Sequence, residues 1–314
     1  MRAVVVSHWD VDGIAAAAIA VRMGAERYRL ASTTALPRIL AQAVNDLERL
    51  GADTLIVADL NPSDWQRVTV ETALDYAMSL GARVLWVDHH RWSERIAGEV
   101  AGMGVELVVD EGRVSAQLMA ERLGCRDGVC TRLIQMAIDD DLFLGRDGLA
   151  RRWRRLLRWY GWSVRRRAVG EWARGRLWPE WAARLWEGMR DEYENMLERV
   201  ALNAAVLARE GLRIVAVRVP DDRLHPGEVH AELVRNGFDG DIYALIYGGG
   251  VSLRSETIPL TCIARRLGGG GHERAAGIPG SEWTPEALAD KLLEAIRVCG
   301  LNPRREEAIQ TIAV

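Results

Sequence analysis

Seven residues in the first ninety could do chemistry together: His8, Asp10, Asp12, Asp59, Asp88, His89 and His90. They combine carboxylates with imidazoles and include no thiolate, a donor set that suits divalent ions such as Mn2+ or Mg2+. Half of the chain's six histidines fall among them. Carboxylates packed together repel one another unless cations lie between them. Two divalent ions roughly 4 Å apart would neutralise that charge and supply the activated water and leaving-group stabilisation that phosphoester hydrolysis requires. A single aspartate after a strand is more often a helix cap. Three groups at matching places in the chain need a common cause.

The matching place is the end of a strand. Ala3–Ser7, Thr54–Leu60, Arg83–Val87 and Val105–Val109 are short and mostly apolar, as buried strands are. Helical periods separate them, at about 13–24, 36–50, 65–80 and 93–101, and Ser115–Leu123 and Thr131–Ile138 read as two more helices. Strands alternating with helices imply crossovers and a parallel sheet covered on both faces. Ligands of such sheets bind at the carboxyl ends of the strands, where all seven residues are expected to meet. Residues 143–210 are strongly helical, with 185–210 as one long amphipathic helix. Strands return at Leu212–Val219, Ile242–Tyr247 and Val251–Ser255, with helices at about 228–236, 259–267 and 284–297. The predicted class is α/β: a parallel-sheet N-terminal domain over 1–142, a helical connector over 143–210 and a smaller α/β domain over 211–314.

In order, spacing and strand context, His8-x-Asp10-x-Asp12-Gly13, Asp59 and Asp88-His89-His90 resemble the DHH phosphoesterase family. The resemblance implies that His8 and Asp10 bind a first metal ion, Asp12 and His89 a second, and that Asp59 bridges them. His90 would face the substrate phosphate, with Asp88 supporting the imidazoles. The family has a further aspartate after a helix. Here Ile138-Asp139-Asp140-Asp141 offers Asp140 or Asp141, which the sequence does not separate, with Asp139 less favoured. The family often has a proline soon after the triplet, where this chain has Arg91-Trp92.

A second motif lies near the C-terminus, where Gly268-Gly269-Gly270-Gly271-His272 precedes Ala275-Ala276-Gly277. Successive glycine N–H groups can form an anion-binding nest, and Arg254 on the preceding strand could grip a phosphate with two hydrogen bonds. Together they resemble the DHH-associated C-terminal domain. By that resemblance Arg254, His272 and Gly269, Gly270 and Gly271 would hold a phosphate or the terminal nucleotide, with His90, Asp88, Arg254 and His272 as the catalytic group. The implied activity is hydrolysis of short oligonucleotides or single-stranded ends by a Mn2+-dependent phosphoesterase, with Mg2+ able to substitute. The compact size is closer to the nanoRNase and 3′-phosphoadenosine-phosphate phosphatase branch than to RecJ-like exonucleases with added domains. A cyclic-dinucleotide phosphodiesterase, a short-chain polyphosphatase and a non-catalytic replication-associated scaffold are the alternatives.

Charge is unevenly spread. The chain carries a net −3, yet residues 151–190 hold twelve arginines against three acids. Seven of the twelve tryptophans fall between Trp153 and Trp186 in the same stretch. Guanidinium groups neutralise phosphates and aromatic faces stack bases, but a tryptophan-cored bundle with an arginine surface would have the same composition. Periodicity does not separate the two. Cys125, Cys130, Cys262 and Cys299 fit no zinc pattern and are expected as buried or free thiols, with a local disulfide as the alternative. His225, Glu228 and His230 are expected in a solvated loop leading into a helix. No apolar run approaches the ~18 residues of a spanning helix, and the strand-like N-terminus argues against a signal peptide. The sequence predicts a cytoplasmic protein that partners nucleic acid and no membrane, as a monomer or a homodimer.

Overall fold

Nearly unbroken apolar runs, rich in β-branched residues, form the centre of the first sheet. The computed structural model describes residues 2–280 and 282–301, and contacts divide the chain into two units, Met1–Trp186 and Glu187–Val314. The first begins β1 (Ala3–His8), α1 (Val11–Arg22), β2 (Ala25–Ala31), α2 (Leu36–Leu50), β3 (Thr54–Ala58), α3 (Arg67–Ser79), β4 (Arg83–Asp88), α4 (Glu94–Gly102) and β5 (Glu106–Val109). The helices α5 (Ser115–Leu123), α6 (Gly128–Asp141), α7 (Gly148–Tyr160), α8 (Trp162–Ala173) and α9 (Glu180–Leu202) follow, the last running past the division. The five strands are all parallel, in the order β2-β1-β3-β4-β5.

Position in the sheet explains the sequence of each strand. All five residues of β3 are buried, as are five of the six in β1 and in β4. On α2 the side chains of Leu36, Ile39, Leu40, Ala43, Val44 and Leu47 recur at helical spacing and pack on the sheet. Full burial of each leucine, isoleucine or valine contributes about 1.5–3 kcal/mol. The edge strand β2 was not foreseen, because its sequence Ala-Glu-Arg-Tyr-Arg-Leu-Ala lacks an apolar run.

The first unit also settles what most of the tryptophans do. Trp153 is fully buried, and the rings of Trp172, Trp178 and Trp181 stand edge-on to it at 5.2, 5.6 and 5.8 Å. Its Nε1–H donates to Leu177 O at 2.7 Å. These four form a packed core. Arg154, Arg176 and Arg184 from the same stretch hold Asp140, Glu171 and Glu180.

The second unit contains β6 (Ala205–Arg209), β7 (Leu212–Arg218), α10 (Pro226–Arg235), β8 (Ile242–Tyr247), β9 (Gly250–Arg254), α11 (Leu260–Arg266), β10 (Gly270–Gly271), β11 (Ala275–Ile278) and α12 (Pro285–Val298). Its sheet has the order β10-β11-β9-β8-β7-β6, with only β7 and β8 parallel. The expected helix over 185–210 is corrected here. It stops at Leu202, and residues 205–209 instead pair antiparallel with β7 across Glu210-Gly211. Both turn residues have positive φ, +50° and +85°, as a two-residue hairpin turn of the right twist requires.

Two other expectations are corrected. The cysteines are not free: Cys125 bonds Cys130 and Cys262 bonds Cys299, each pair with Cα atoms 6.1 Å apart. The first is the local disulfide held as the alternative, whereas the second joins cysteines 37 residues apart. The His225 segment is not a solvated loop either. His225 caps α10, its Nδ1 accepting from Gly227 N at 3.1 Å. Glu228 is buried, and the His230 ring lies 4.3 Å from that of Tyr243. No helix among the described residues is long and apolar enough to cross a membrane.

Candidate active site

The turn from β1 into α1 sets the first part of the site. Asp10 is the N-cap of α1, its Oδ1 accepting from Gly13 N at 3.0 Å. A Cβ on Gly13 would stand 2.5 Å from His8 O, so only glycine lets the helix start this close to the strand. The other Asp10 oxygen, Oδ2, lies 2.7 Å from His8 Nδ1. Capping and site geometry therefore use different oxygens of one carboxylate. Burial alone would raise the Asp10 pKa, but the charge and hydrogen bond of His8 hold it below the usual carboxylate range.

Asp12 reaches across the fold. Its Oδ2 accepts from Ser115 N and its Oδ1 from Ala116 N, both at 2.8 Å, at the start of α5. The positive end of that helix favours a carboxylate, although burial still lifts Asp12 to about 6.

Asp59 follows β3 and carries the clearest mark of a functional position. Its φ is +57°, a left-handed conformation that costs a residue bearing a Cβ on the order of 1–3 kcal/mol and recurs where function demands it. Its side chain is 2% exposed. Oδ1 accepts from Ser115 Oγ at 3.2 Å and lies 3.3 Å from His89 Nε2. Oδ2 lies 3.7 Å from His8 Nδ1 and, though buried, has no hydrogen-bond partner among the described residues. Burial, then the charges of Asp10, Asp12 and Asp88, push the Asp59 pKa well above the carboxylate range.

Asp88 has its oxygens fully engaged. Oδ1 accepts from His89 N at 2.9 Å and lies 2.8 Å from His90 Nδ1, while Oδ2 accepts from Trp92 Nε1 at 2.7 Å. Burial opposes the charge on Asp88, but His90 and Trp92 hold its pKa down. Burial likewise works against a charged His90, and the Asp88 bond and charge outweigh it, raising His90 to about 9. The His90 Nδ1 is turned to Asp88, which places Nε2 on the opposite edge of the ring. Trp92 also stands edge-on to buried Trp86 at 5.2 Å, which anchors the loop that lacks the family's proline.

At the end of α6 the three aspartates part company. Asp139 Oδ1 accepts from Arg146 N at 2.8 Å and Asp147 N at 3.0 Å, closing the loop to α7. Asp140 Oδ1 accepts from Arg154 Nε at 2.6 Å, and burial lifts its pKa to about 7. Asp141 Oδ2 lies 3.7 Å from His89 Nδ1. The structure thus gathers His8, Asp10, Asp12, Asp59, Asp88, His89, His90 and Asp141 at the carboxyl edge of one sheet. Asp140 stands behind them, tied to Arg154.

Donor chemistry and geometry both fit divalent ions. Asp59 belongs to two sets whose donor atoms lie within 4.8 Å of one another: His8, Asp10 and Asp59, and Asp59, His89 and His90. A buried carboxylate oxygen without a partner, in a group of like charges, is what a bridging cation would satisfy. Ser115, Trp92 and Arg154 are contributors that the sequence reading missed. Each acts through a contact to a distant aspartate, for which neither spacing nor periodicity gives a signal.

Arg254, His272 and the glycines lie in the second unit. Arg254 ends β9, its Nη1 donating to Ser252 Oγ and Leu253 O, both at 2.9 Å. His272 N donates to Ala275 O at 2.8 Å. Two of the glycines answer to packing: a Cβ on Gly269 would meet Gly277 O at 1.9 Å, and one on Gly271 would meet Ala275 O at 2.6 Å. A Cβ on Gly270 would meet nothing within 4 Å among the described residues.

Among solved structures, the chain resembles RecJ from Thermus thermophilus, determined in complex with Mn2+, with a TM-score of 0.57 and 19% identity. The match covers 94% of this chain and 52% of that one, so the chain spans about half the length of that RecJ. An exopolyphosphatase-related protein from Bacteroides fragilis matches with a TM-score of 0.55 and 12% identity, covering 95% of this chain and 93% of that one. A pGpG-specific phosphodiesterase from Vibrio cholerae matches with a TM-score of 0.54 and 11% identity, covering 95% and 99%. At these identities the likeness is one of fold. No family model matches the sequence, and no curated protein matches it.

Proposed function

We propose that the chain is a metal-dependent phosphoesterase that hydrolyses short oligonucleotides or single-stranded nucleic-acid ends. The observation that carries this reading is Asp59, a strained, buried carboxylate with an unsatisfied oxygen, shared by two donor sets. His8 and Asp10 would hold one ion, Asp12, His89 and Asp141 the other, and Asp59 would bridge them. Asp141 is preferred to Asp140 because it faces His89 while Asp140 is held by Arg154. When bound, such ions supply an activated water and neutralise charge on the phosphoryl oxygens. The fold neighbour determined with Mn2+ supports that ion as the cofactor.

The protein's own residues do the rest. Asp88 fixes the His90 ring through its Nδ1, and the His90 Nε2–H is proposed to donate to a phosphoryl oxygen and favour the charge that grows in the transition state. Asp12 and Ser115 hold α5 and Asp59 in register. Within the second unit, Arg254, His272 and Gly270 are the residues proposed to bind a phosphate.

The test is hydrolysis of end-labelled RNA and DNA, from dinucleotides to about 24-mers, in Mn2+, with 3′-phosphoadenosine-phosphate alongside. Cleavage confined to the shortest chains supports the oligonucleotide reading, and stepwise digestion of longer strands supports the exonuclease form. No Mn2+-dependent hydrolysis of any of these substrates overturns it.

A further inference from the structure

Several arginines of the basic stretch lie over tryptophan rings, Arg152 over Trp178 and Trp186 and Arg167 over Trp181 among them. Arg165 does so beside the donor cluster. Its guanidinium carbon lies 3.7 Å from the centroid of the Trp9 ring and 4.9 Å from that of Trp162. Trp9 is the residue between His8 and Asp10, and its ring centroid is 5.3 Å from that of His8. A second guanidinium, that of Arg158, lies 5.9 Å from the same Trp9 ring. Arg158 is in the last turn of α7 and Arg165 in the first turn of α8. Gly161, at φ +66° and ψ −143°, makes the sharp turn that turns both toward Trp9.

The hydrogen bonds show what Arg165 has left to offer. Its Nε–H donates to Leu157 O at 2.8 Å, which fixes the plane of the group. The two Nη groups donate to none of the described residues, and no described carboxylate pairs with it. A planar guanidinium with both Nη groups available is built for a phosphate. One face of Trp9 is occupied by Arg165, so the group is made for an anion rather than for stacking a base there. Two like charges over one ring also repel. Burial and the charge of Arg158 lower Arg165 to about 10, which leaves it charged at neutral pH. The charge of Asp10 acts the other way, so Arg165 lies within electrostatic reach of the donor cluster.

We propose that Arg165, Arg158 and Trp9 form a second phosphate site beside His8 and Asp10, which takes the phosphate next to the scissile one. This rests on the phosphoesterase reading and sharpens its substrate class: a chain with at least two phosphates one nucleotide apart, rather than an isolated phosphoester. Trp9 acts as the platform that pre-orients Arg165 through its ring face. Four of the seven tryptophans of the stretch need no nucleic-acid role, because they pack on one another.

Binding and turnover test the proposal separately. The binding probe is a 3′-fluorescein trinucleotide with a 5′-phosphate, followed by anisotropy in EDTA, where the metal-dependent step is blocked. Arg165→Gln is expected to weaken binding at least tenfold. It should also make the dependence of log K on log salt shallower by about 0.7, the value of one phosphate contact on a single strand. In Mn2+, its kcat/KM on the trinucleotide should fall at least tenfold further than on bis(p-nitrophenyl) phosphate, which has one phosphate. Arg184→Gln, an exposed arginine of the same stretch, should change neither. Arg158→Gln reports the same site if the first variant does not fold. Wild-type affinity and salt dependence in Arg165→Gln, or equal losses on the two substrates, would overturn the site. If the wild-type protein hydrolyses neither substrate, the phosphoesterase reading fails, while the EDTA titration still decides the phosphate site.

Discussion

Replacing Asp59 by Asn separates the fold from the chemistry more sharply than any other single change. Asparagine tolerates the left-handed conformation as aspartate does, so the backbone at φ +57° is kept. What is lost is a buried carboxyl whose ionisation burial and Asp10, Asp12 and Asp88 oppose, with an oxygen that has no hydrogen-bond partner among the described residues. A buried unsatisfied acceptor costs about 1–3 kcal/mol, more when charged. The new amide also brings donors into a ring of carboxylates. Asp59→Asn should therefore be more stable than the wild type in EDTA by about 1–3 kcal/mol. In a unit of this size that is roughly 2–10 °C in melting temperature. Asp59→Ala should sit about 1–2 kcal/mol below the Asn variant, because alanine pays the left-handed penalty without a polar side chain to offset it. With Mn2+ the order reverses. Ion at a hundred times its dissociation constant stabilises the wild type by about 2.7 kcal/mol, whereas neither variant should respond. Thermal unfolding by fluorescence, with EDTA and with Mn2+, reads all of this. An Asn variant less stable than wild type in EDTA, or one that keeps the full Mn2+ shift, would refute the bridging role of Asp59.

Three further outcomes are expected. Trp92→Phe keeps a ring beside Trp86 but removes the hydrogen bond to Asp88; Mn2+ affinity or activity should drop about 10–100-fold, and an unchanged metal titration would show that Asp88 needs no such support. Gly269→Ala drives a methyl into Gly277 O and should cost the second unit several kcal/mol, roughly 3 or more. Gly270→Ala meets nothing within 4 Å and should melt as wild type, so a loss of activity in it would report contact with substrate. Metal-free stability should fall as pH rises from 5 to 8. Asp12 and Asp140, lifted to about 6 and about 7, bind protons when folded that they release when unfolded, so stability present near pH 4 is lost through those values. His90, raised to about 9, adds a loss of the same sign above its ordinary 6.5. Asp10 and Asp88, both lowered, affect stability only below about pH 4. Denaturant unfolding in EDTA checks the trend, and equal or greater stability at pH 8 contradicts it.

Much of the architecture was legible because burial on both faces leaves a plain signature. The runs in β1, β3 and β4 show it, and the site residues follow because each group comes at the end of such a strand. β2 was hidden by its place at the edge. Its Arg29 finds Asp46 at 2.6 Å, a partner seventeen residues away that no local pattern announces. β6 was hidden by the helix that precedes it, since Ala-Val-Leu-Ala-Arg extends an amphipathic period and Glu-Gly is a weak turn signal. Within the site, sequence spacing brought the donors to one edge but left Asp140 and Asp141 equal. Only Arg154, arriving from α7, separates them. The tryptophans were ambiguous for a related reason: the edge-on cluster around Trp153 draws on α7, α8, α9 and the segment between the last two, so no single helix shows its period.

The two backbone bonds from Asp12 to the start of α5 also bear on how the protein is made. During synthesis His8, Asp10, Asp12, Asp59, Asp88, His89 and His90 emerge first, and Ser115, Ala116 and Asp141 last. At about 5–20 residues per second, the first group waits several seconds for its partners. For that interval Asp12 has neither amide to accept from, and His89 lacks its third carboxylate. The donor cluster is completed only when the C-terminal part of the first unit has folded against the sheet. A nascent chain therefore offers a divalent ion a looser and weaker set of donors than the finished protein, and tight metal binding is expected to be a late property of biosynthesis.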